Sequence, residues 1–465
     1  MKNRIYLNTL HDHIGEEITV AGWVDVRRDH GKLIFMDVRD MTEKVQMVAL
    51  PNHVEAHELA NTVRPEWVIE VTGIVNKRPE KMINEELHNG DIEIEITSIK
   101  VLNEADTPAF EISETTIGVN EEARMTNRYL DLRSERMQTN IKNRHRVMKF
   151  VRNFFDKEGF FEIETPLLTK STPEGARDYV VPSRLEPGHF YALPQSPQQY
   201  KQLIMSSGFE KYFQFARCMR DEDTRGDRQP EFTQLDMEMS FVDRDQVMDI
   251  NEKVLIALVK ELYPEKTIQE IPFPRLTHKE SMEKYGTDRP DLRKDKDDPN
   301  LLAFAWVTDF PFFEKTDDGS WTFTHNPFSI PKEEFIDDLL KGENIGDILT
   351  SQYDIALNGS EIGGGSIRAH KADILEKVFE ILGHDKKKIK EAFGHMIDAF
   401  SSGTPPHGGI AWGFDRLMMI LQNEPNIREV IAFPKTGEGK DLMMNSPAEI
   451  EDVHLKELGI QIKKN

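Results

Sequence analysis

The chain has 465 residues, 38% hydrophobic and 30% charged, with a mean hydropathy of −0.55; this fits a globular protein of about three domains. No apolar run reaches the roughly 18 residues that a membrane span needs, and MKNRIYLNTLHDHIGEE at the N-terminus lacks the apolar stretch of a secretory leader, so a cytoplasmic protein is expected. The single cysteine, Cys218, excludes a disulfide scaffold and a multi-cysteine metal site, and a net charge of −23 argues against bulk, non-specific nucleic-acid binding while leaving room for local basic patches.

Residues 17–28, 32–40 and 44–50 alternate apolar and polar positions with period two, as half-buried antiparallel strands do. A short helix-like stretch follows at 52–63, then two more strands at 67–78 and 90–102. Five strands with a helix after the third is the pattern of an OB-fold barrel, which often takes single-stranded nucleic acid; a generic small β-barrel fits the same pattern. Residues 103–122 are polar and aperiodic and read as a linker. From Arg136 a basic helix is predicted, with Ile141, Val147, Met148, Val151, Phe154 and Phe155 on one stripe and Gly159 ending it; its Lys and Arg residues read as a solvated face. The remainder, 160–465, mixes strands and helices, with 289–300 (RPDLRKDKDDPN) as a surface loop. No long internal repeat is visible, which argues against a solenoid or propeller.

Familiar phosphate and nucleophile motifs are missing. Gly437-Glu438-Gly439-Lys440-Asp441 lacks the spacing and closing Ser or Thr of a phosphate loop, and no GxGxxG opens a βαβ unit. His11 and His13 have no further ligands near them in sequence and read as surface residues. No nucleophile elbow supports a catalytic triad.

Four segments concentrate polar residues. In 194–205, Ser196 as N-cap and Pro197 as first residue predict a helix that puts Gln198 and Lys201 on one face. In 212–241, two strand-like runs flank a charged loop. Antiparallel pairing would gather Arg220 and Glu222 with Phe232, Gln234 and Asp236, an arginine for polyphosphate and a ring for a base. A salt-bridged hairpin accounts for that pattern equally. In 353–370, Asp354 and Glu361 lie beside a Gly-Gly-Gly run; two carboxylates with substrate phosphates are the usual holder of Mg2+, while a strand pair with a glycine bulge is the plainer alternative. In 407–421 a glycine-rich strand leads into a helix whose first turn holds Arg416, within reach of a terminal phosphate.

Together these segments carry a resemblance. GFFEIETPLLTKSTPEGARDYVVPSR, FQFARCMRDEDTRGDRQPEFTQLDMEMSF and GGIAWGFDRLMMIL resemble motifs 1, 2 and 3 of class II aminoacyl-tRNA synthetases. QSPQQYKQL, EIGGGSIR and VIAFPKT are similar to the bacterial-type aspartyl-tRNA synthetases, and the resemblance covers nearly the whole chain. It implies an α+β protein: an N-terminal OB-fold anticodon-binding barrel (1–104), a linker (105–134) and a class II catalytic domain (135–465), an antiparallel sheet flanked by helices. Motif 1, including Pro166, implies a homodimer.

The reaction implied is attack of the aspartate carboxylate on the α-phosphorus of ATP, then attack of the tRNA 3′-terminal hydroxyl on the aspartyl-adenylate. Arg220, Glu361 and Arg416 are the implied catalytic residues. Arg220 matches the α-phosphate arginine, Asp221, Glu222 and Gln229 the nucleotide site, and Phe232 the ring beneath adenine. Gly413, Phe414 and Asp415 precede Arg416, the γ-phosphate arginine, and Asp354 and Glu361 match Mg2+ carboxylates. For aspartate, Glu174, Ser196, Gln198, Gln234 and Asp236 match the ammonium end, Lys201 and Arg368 the side-chain carboxylate, and His325 transfers from a His-His-Pro-Phe motif. With asparagine bound, Lys201 and Arg368 would face a neutral amide, leaving buried charge unpaired at a cost of several kcal/mol. In the barrel, Arg28, His30, Phe35, Gln46 and Glu93 match anticodon contacts; a ring such as Phe35 stacks a base for about 1–3 kcal/mol.

Three departures stand out. Only KDKDDPN precedes LLAFAWVTDF where bacterial members carry a large domain, so the insertion is absent near 289–302; every matched catalytic residue lies outside it, and activity is expected to survive. The His-His-Pro-Phe motif reads His325-Asn326-Pro327-Phe328. His30 stands where members restricted to tRNA(Asp) often have leucine. It raises the expectation of a non-discriminating enzyme that also makes Asp-tRNA(Asn) for a partner amidotransferase, against a neutral substitution; Met82, in a second loop tied to this choice, leaves it open. Other readings are an asparaginyl-tRNA synthetase or asparagine-synthesising relative, disfavoured by Lys201 with Arg368, and an inactive tRNA-binding paralogue, disfavoured by the presence of Arg220, Glu361 and Arg416.

Overall fold

The period-two segments near the N-terminus pair as strands. In the computed structural model, which describes residues 4–112, 115–171 and 175–463, the chain divides into two units, Met1–Ile112 and Ser113–Asn465. In the first, β1 (Glu17–His30), β2 (Leu33–Arg39), β3 (Lys44–Ala49), α1 (Val54–Thr62), β4 (Val68–Lys77) and β5 (Ile92–Asn103) follow in order. The strands close into a barrel in the order β1-β2-β3-β5-β4. Alternate residues turn inward, as the pattern requires: Val20, Val24, Met36, Val38, Met47, Ile69, Val71, Ile94 and Ile96 are buried together. Strand β1 runs two residues beyond its expected end, so His30 sits in the ladder opposite Leu33.

The second unit begins with two short helices, α2 (Glu121–Thr126) and α3 (Arg128–Asp131), inside the stretch expected to be linker. The sequence hid them because their buried side chains include charged residues, Arg124, Arg128 and Asp131, rather than an apolar stripe. Helix α4 (Glu135–Lys157) is capped by Ser134 and ends as expected: Gly159 takes φ +80 and the Phe160 N–H donates to the Phe155 carbonyl. Its basic face departs from expectation. Lys142, His145, Arg146 and Lys149 are exposed, but Arg144 donates to Asp415 at 2.6 Å and Arg136 to Glu429 at 2.7 Å.

The remaining elements that frame the cleft are β6 (Phe161–Glu162), α5 (Gln198–Ser206), β7 (Lys211–Met219), β8 (Glu231–Ser240), α6 (Arg244–Leu262), β9 (Arg275–Thr277), β10 (Phe304–Thr308), β11 (Gln352–Leu357), β12 (Ser360–Ile367), α7 (Ala372–Ile381), α8 (Lys386–Ser401), β13 (His407–Gly413) and α9 (Phe414–Leu421). Eight strands make one sheet in the order β9-β10-β11-β12-β13-β8-β7-β6. Its interior pairs are antiparallel and only the edge pairs, β9–β10 and β6–β7, are parallel. The strands sort their residues by parity. Leu235, Met237, Tyr353, Ile355, Ile410 and Trp412 join Val147, Val151, Val254 and Leu258 of α4 and α6 in the main core. Gln234, Asp236, Gln352 and Asp354, one residue out of step, face the opposite side. Residues 286–300 form a loop without regular structure, as expected of the Asp-rich stretch. Among the described residues no helix is long and apolar enough to cross a membrane.

Candidate functional site

The polar side of the sheet opens into a cleft of about 550 Å³. Strand β8 supplies Phe232, Gln234 and Asp236, and the β7–β8 connection Arg220, Glu222 and Gln229. Helix α5 adds Gln198 and Lys201, β11 and β12 add Asp354 and Glu361, and α9 adds Arg416; Ser196, His325, Arg368, Gly413 and Asp415 complete the expected residues found there. Residues scattered over more than 200 positions of sequence thus share one wall-to-wall space.

Two expected nucleotide residues are absent from the cleft wall. Phe414 is fully buried in the main core, with Arg144 over its ring at 4.8 Å, because the first residue of α9 turns its side chain toward the sheet's apolar side. Asp221 is half-buried outside the cleft and pairs with Arg177 at 3.6 Å. Asp415 reaches the cleft but its carboxylate is held by Arg144 and by the Thr233 N–H at 2.9 Å. Glu174 lies outside the described residues. Helix α5 starts one residue later than expected: the Lys201 N–H bonds to the Pro197 carbonyl, making Pro197 the cap and leaving Ser196 outside the helix.

At one end of the cleft, two buried cations meet two buried carboxylates. Lys201 Nζ donates to Asp236 Oδ1 at 2.6 Å and lies 3.3 Å from Glu238 Oε2. Arg368 forks onto Glu238, Nε to Oε1 at 2.8 Å and Nη2 to Oε2 at 3.1 Å. Burial pushes the Asp236 carboxyl above its ordinary range against the pull of Lys201. Burial acts the same way on Glu238, but Arg368 and Lys201 outweigh it and hold that carboxyl low. Glycine at 409 makes the arrangement possible, since a Cβ there would collide with the Glu238 carboxylate and the Met237 carbonyl. The expectation that Lys201 and Arg368 wait as unpaired charges is therefore corrected: their charge is already balanced. Their ammonium and guanidinium groups carry donors only.

Glu238 was missed in the sequence, although the parity that groups Phe232, Gln234 and Asp236 extends to it directly. Asp227, also missed, pairs with Arg416 at 3.1 Å; nothing in a loop with several carboxylates marks which one does so. Four buried polar atoms lining the cleft find no hydrogen-bond partner among the described residues: Asp236 Oδ2, Gln198 Nε2, Gln229 Nε2 and Arg416 Nε. Buried polar groups are normally paired, so a cleft with four left over is made for a polar ligand. At the other end, the Arg220 guanidinium lies 5.2 Å from the centre of the Phe232 ring.

Asp354 and Glu361 reach the same side of the sheet by a bulge. Asp354 stands opposite Gly364 and Ala356 opposite Glu361, with Ile362 as the extra residue that turns into the core. Burial, then the charge of Glu361, raises the Asp354 carboxyl well above its ordinary range. Two carboxylates that repel one another, with oxygen ligands only, fit a hard divalent cation such as Mg2+ completed by substrate phosphates. Among the described residues no cluster of three or more His, Cys, Asp or Glu could hold a metal by itself.

A separate polar patch lies on the outside of the barrel. Arg28 forks onto Asp37 at 2.6 and 3.0 Å and reaches Gln46 at 3.5 Å, and Gln46 donates to Glu93 at 2.9 Å. His30 meets Phe35 edge-on with ring centres 5.7 Å apart. All five expected residues thus share one face; Asp37, the partner of Arg28, was not foreseen.

Comparison with known proteins gives these surfaces a family. Residues 120–437 match tRNA synthetases class II (D, K and N), and residues 18–102 match the OB-fold nucleic acid binding domain. An aspartate–tRNA ligase of Staphylococcus aureus is 40% identical over 577 aligned positions, covering 97% of each chain; the alignment is longer than this chain, so the relative has segments without a counterpart here. An asparaginyl-tRNA synthetase of Pyrococcus horikoshii, complexed with asparaginyl-adenylate, shares the fold with TM-score 0.76 at 22% identity, covering 94% of this chain and 99% of that one. A putative aspartyl-tRNA synthetase of Leishmania major does so with TM-score 0.73 at 20% identity, covering 93% of each. With its barrel, its sheet and nearly its whole length matched, the chain belongs to the aspartate–tRNA ligase family and is a class II aminoacyl-tRNA synthetase.

Proposed function

We propose that the protein activates L-aspartate with ATP and transfers it to tRNA(Asp), with tRNA(Asn) as a second acceptor. The observation that carries this reading is the buried quartet of Lys201, Arg368, Asp236 and Glu238 at one end of a cleft whose other end presents Arg220, Arg416 and Phe232. Asp236 Oδ2, an acceptor with no hydrogen-bond partner among the described residues, suits the substrate ammonium. The donor-only ends of Lys201 and Arg368 suit the side-chain carboxylate and disfavour asparagine.

With aspartate so held, an oxygen of its α-carboxylate attacks the α-phosphorus of ATP, the bond to the β-phosphate oxygen breaks and pyrophosphate leaves. Arg220 and Arg416 stabilise the phosphate charge, Glu222 and Gln229 orient the nucleotide, and adenine lies on Phe232. Asp354 and Glu361 would hold Mg2+, which when bound neutralises phosphate charge. The 3′-terminal hydroxyl of the tRNA then attacks the adenylate carbonyl and AMP departs. Arg28, His30, Phe35, Gln46 and Glu93 form the anticodon face. A cytoplasmic homodimer completes the reading, with an amidotransferase consuming any Asp-tRNA(Asn).

The test is charging of tRNA(Asp) and tRNA(Asn) transcripts with labelled aspartate and, separately, asparagine. Aspartate on both tRNAs is the expected result. Aspartate on tRNA(Asp) alone would remove the second acceptor, and asparagine as the preferred amino acid would overturn the proposal.

A further inference from the structure

The residue that breaks the His-His-Pro-Phe pattern, Asn326, begins a chain of hydrogen bonds that ends on Asp354. Asn326 Oδ1 accepts from the Phe328 N–H at 3.0 Å and the Ser329 hydroxyl at 3.1 Å, so both its lone pairs are used and the amide cannot turn over. Its Nδ2 therefore donates outward, to Gln352 Oε1 at 3.0 Å. That oxygen also lies 3.4 Å from the Ser329 hydroxyl. With its oxygen so engaged, Gln352 turns Nε2 to Asp354 Oδ1 at 2.7 Å. The Phe328 N–H thus sets the polarity of Asn326, and Asn326 sets that of Gln352.

The far end is confined as well. Gln352 and Asp354 are 4% exposed, and a Cβ at Gly364 would stand 2.8 Å from Asp354 Oδ1. The other oxygen, Oδ2, lies 3.5 Å from His325 Nε2 on the cleft side.

We propose that Asn326 is a positioning residue that acts through Gln352 to hold the Asp354 carboxylate with Oδ2 presented to the metal and substrate phosphates. A histidine at 326 could not do the same, because a neutral imidazole has one donor and one acceptor where Asn326 uses one donor and two acceptor sites. The proposal rests on the reading of Asp354 as a Mg2+ carboxylate.

The informative variants are Asn326→Asp and Gln352→Met. Asn326→Asp keeps the two bonds into Oδ1, removes the donor and adds a charge, so Gln352 is expected to reverse and present its oxygen to Asp354; Gln352→Met breaks the relay without adding a charge. Two readouts apply to the full-length protein: equilibrium binding of Mn2+ with a non-hydrolysable ATP analogue, followed by electron paramagnetic resonance, and the Mg2+ dependence of ATP–pyrophosphate exchange. Outer-sphere partners of a metal ligand typically matter about 10–100-fold in metal affinity. Each variant is therefore expected to weaken Mn2+ binding at least about ten-fold, with the KM for aspartate unchanged, and the double variant to be no weaker than Gln352→Met alone. Wild-type affinity in Asn326→Asp, or losses that add in the double variant, would overturn the relay while leaving the enzymatic reading intact. Wild-type protein that exchanges pyrophosphate without binding Mn2+ would overturn the relay through its premise, and wild-type protein that does neither would overturn both.

Discussion

Arg220 and Lys201 face the same cleft but are held very differently, and substitution should separate them. Arg220 has a 3.4 Å hydrogen bond to the Gln195 carbonyl and the face of Phe232. Arg220→Ala is expected to leave the fold intact and to lower ATP–pyrophosphate exchange by about 10²–10³-fold or more, the cost of removing a preorganised donor from developing charge. Near-normal exchange would take Arg220 out of the site. Lys201 is 2% exposed and pairs with two buried carboxylates. Lys201→Met leaves Asp236 and Glu238 with Arg368 alone, and denaturant unfolding should show a loss of about 3–5 kcal/mol besides the loss of activity.

At the scale of elements, the segments leading into the catalytic unit are tied to its C-terminal part by charge. Arg124 forks onto Glu429 with both bonds at 2.9 Å, Arg136 joins the same carboxylate at 2.7 Å, and Arg128 donates to Asp131 and to three backbone carbonyls, those of Arg428, Ile431 and Ala432. Burial acts to raise the Glu429 pKa, but the hydrogen bonds and charge of Arg124, then Arg136, outweigh it and hold the group down at about 2. A carboxylate with a depressed folded-state pKa stabilises the fold fully above its ordinary value of 4.5 and loses that contribution as pH falls toward about 2. Glu429→Gln is expected to cost about 3–5 kcal/mol at neutral pH. Urea unfolding of the two proteins should show that difference narrowing below about pH 4.5; a constant difference would mean that Glu429 does not titrate against the arginine cluster.

For the whole molecule, the two units divide the labour that the proposed function requires: a sheet that gathers the chemistry and a barrel that presents a polar face to RNA. That face is nearly balanced in charge, since Asp37 neutralises Arg28 and Arg78 lies 4.0 Å from Glu93, in keeping with a chain of net charge −23. Under the proposed function, discrimination there would come from hydrogen bonds and stacking rather than from attraction to phosphate. His30 is exposed at the end of β1 beside Phe35, and under the proposed function it would serve either pyrimidine. His30→Leu is expected to lower kcat/KM for tRNA(Asn) by about ten-fold or more relative to tRNA(Asp), the scale of one mismatched base contact. An unchanged ratio would make the histidine neutral.

Much of this was legible in the chain itself. Period-two alternation determined the barrel, because a half-buried strand must place apolar residues on one side, and Gly159 marked the end of α4 because a positive φ favours glycine. The motifs were sufficient to select Arg220, Glu361, Arg368 and Arg416 as cleft residues. Only the tertiary structure decided what each charge meets. Asp236 was readable as a polar strand residue, but its balance with Lys201, Glu238 and Arg368 depends on how α5 packs against β8 and on Arg368, just after β12, reaching Glu238 across β13. Phe414 looked like part of a nucleotide motif until helix packing turned it into the core, and the basic stripe of α4 looked solvated until Glu429 and Asp415 arrived from nearly 300 residues away. Asn326 was a mere departure from a pattern until Gln352 and Asp354 came within hydrogen-bond reach. Periodicity reports which side of an element a residue faces; the partner on that side comes from strand register and helix packing, which are long-range and leave no local mark.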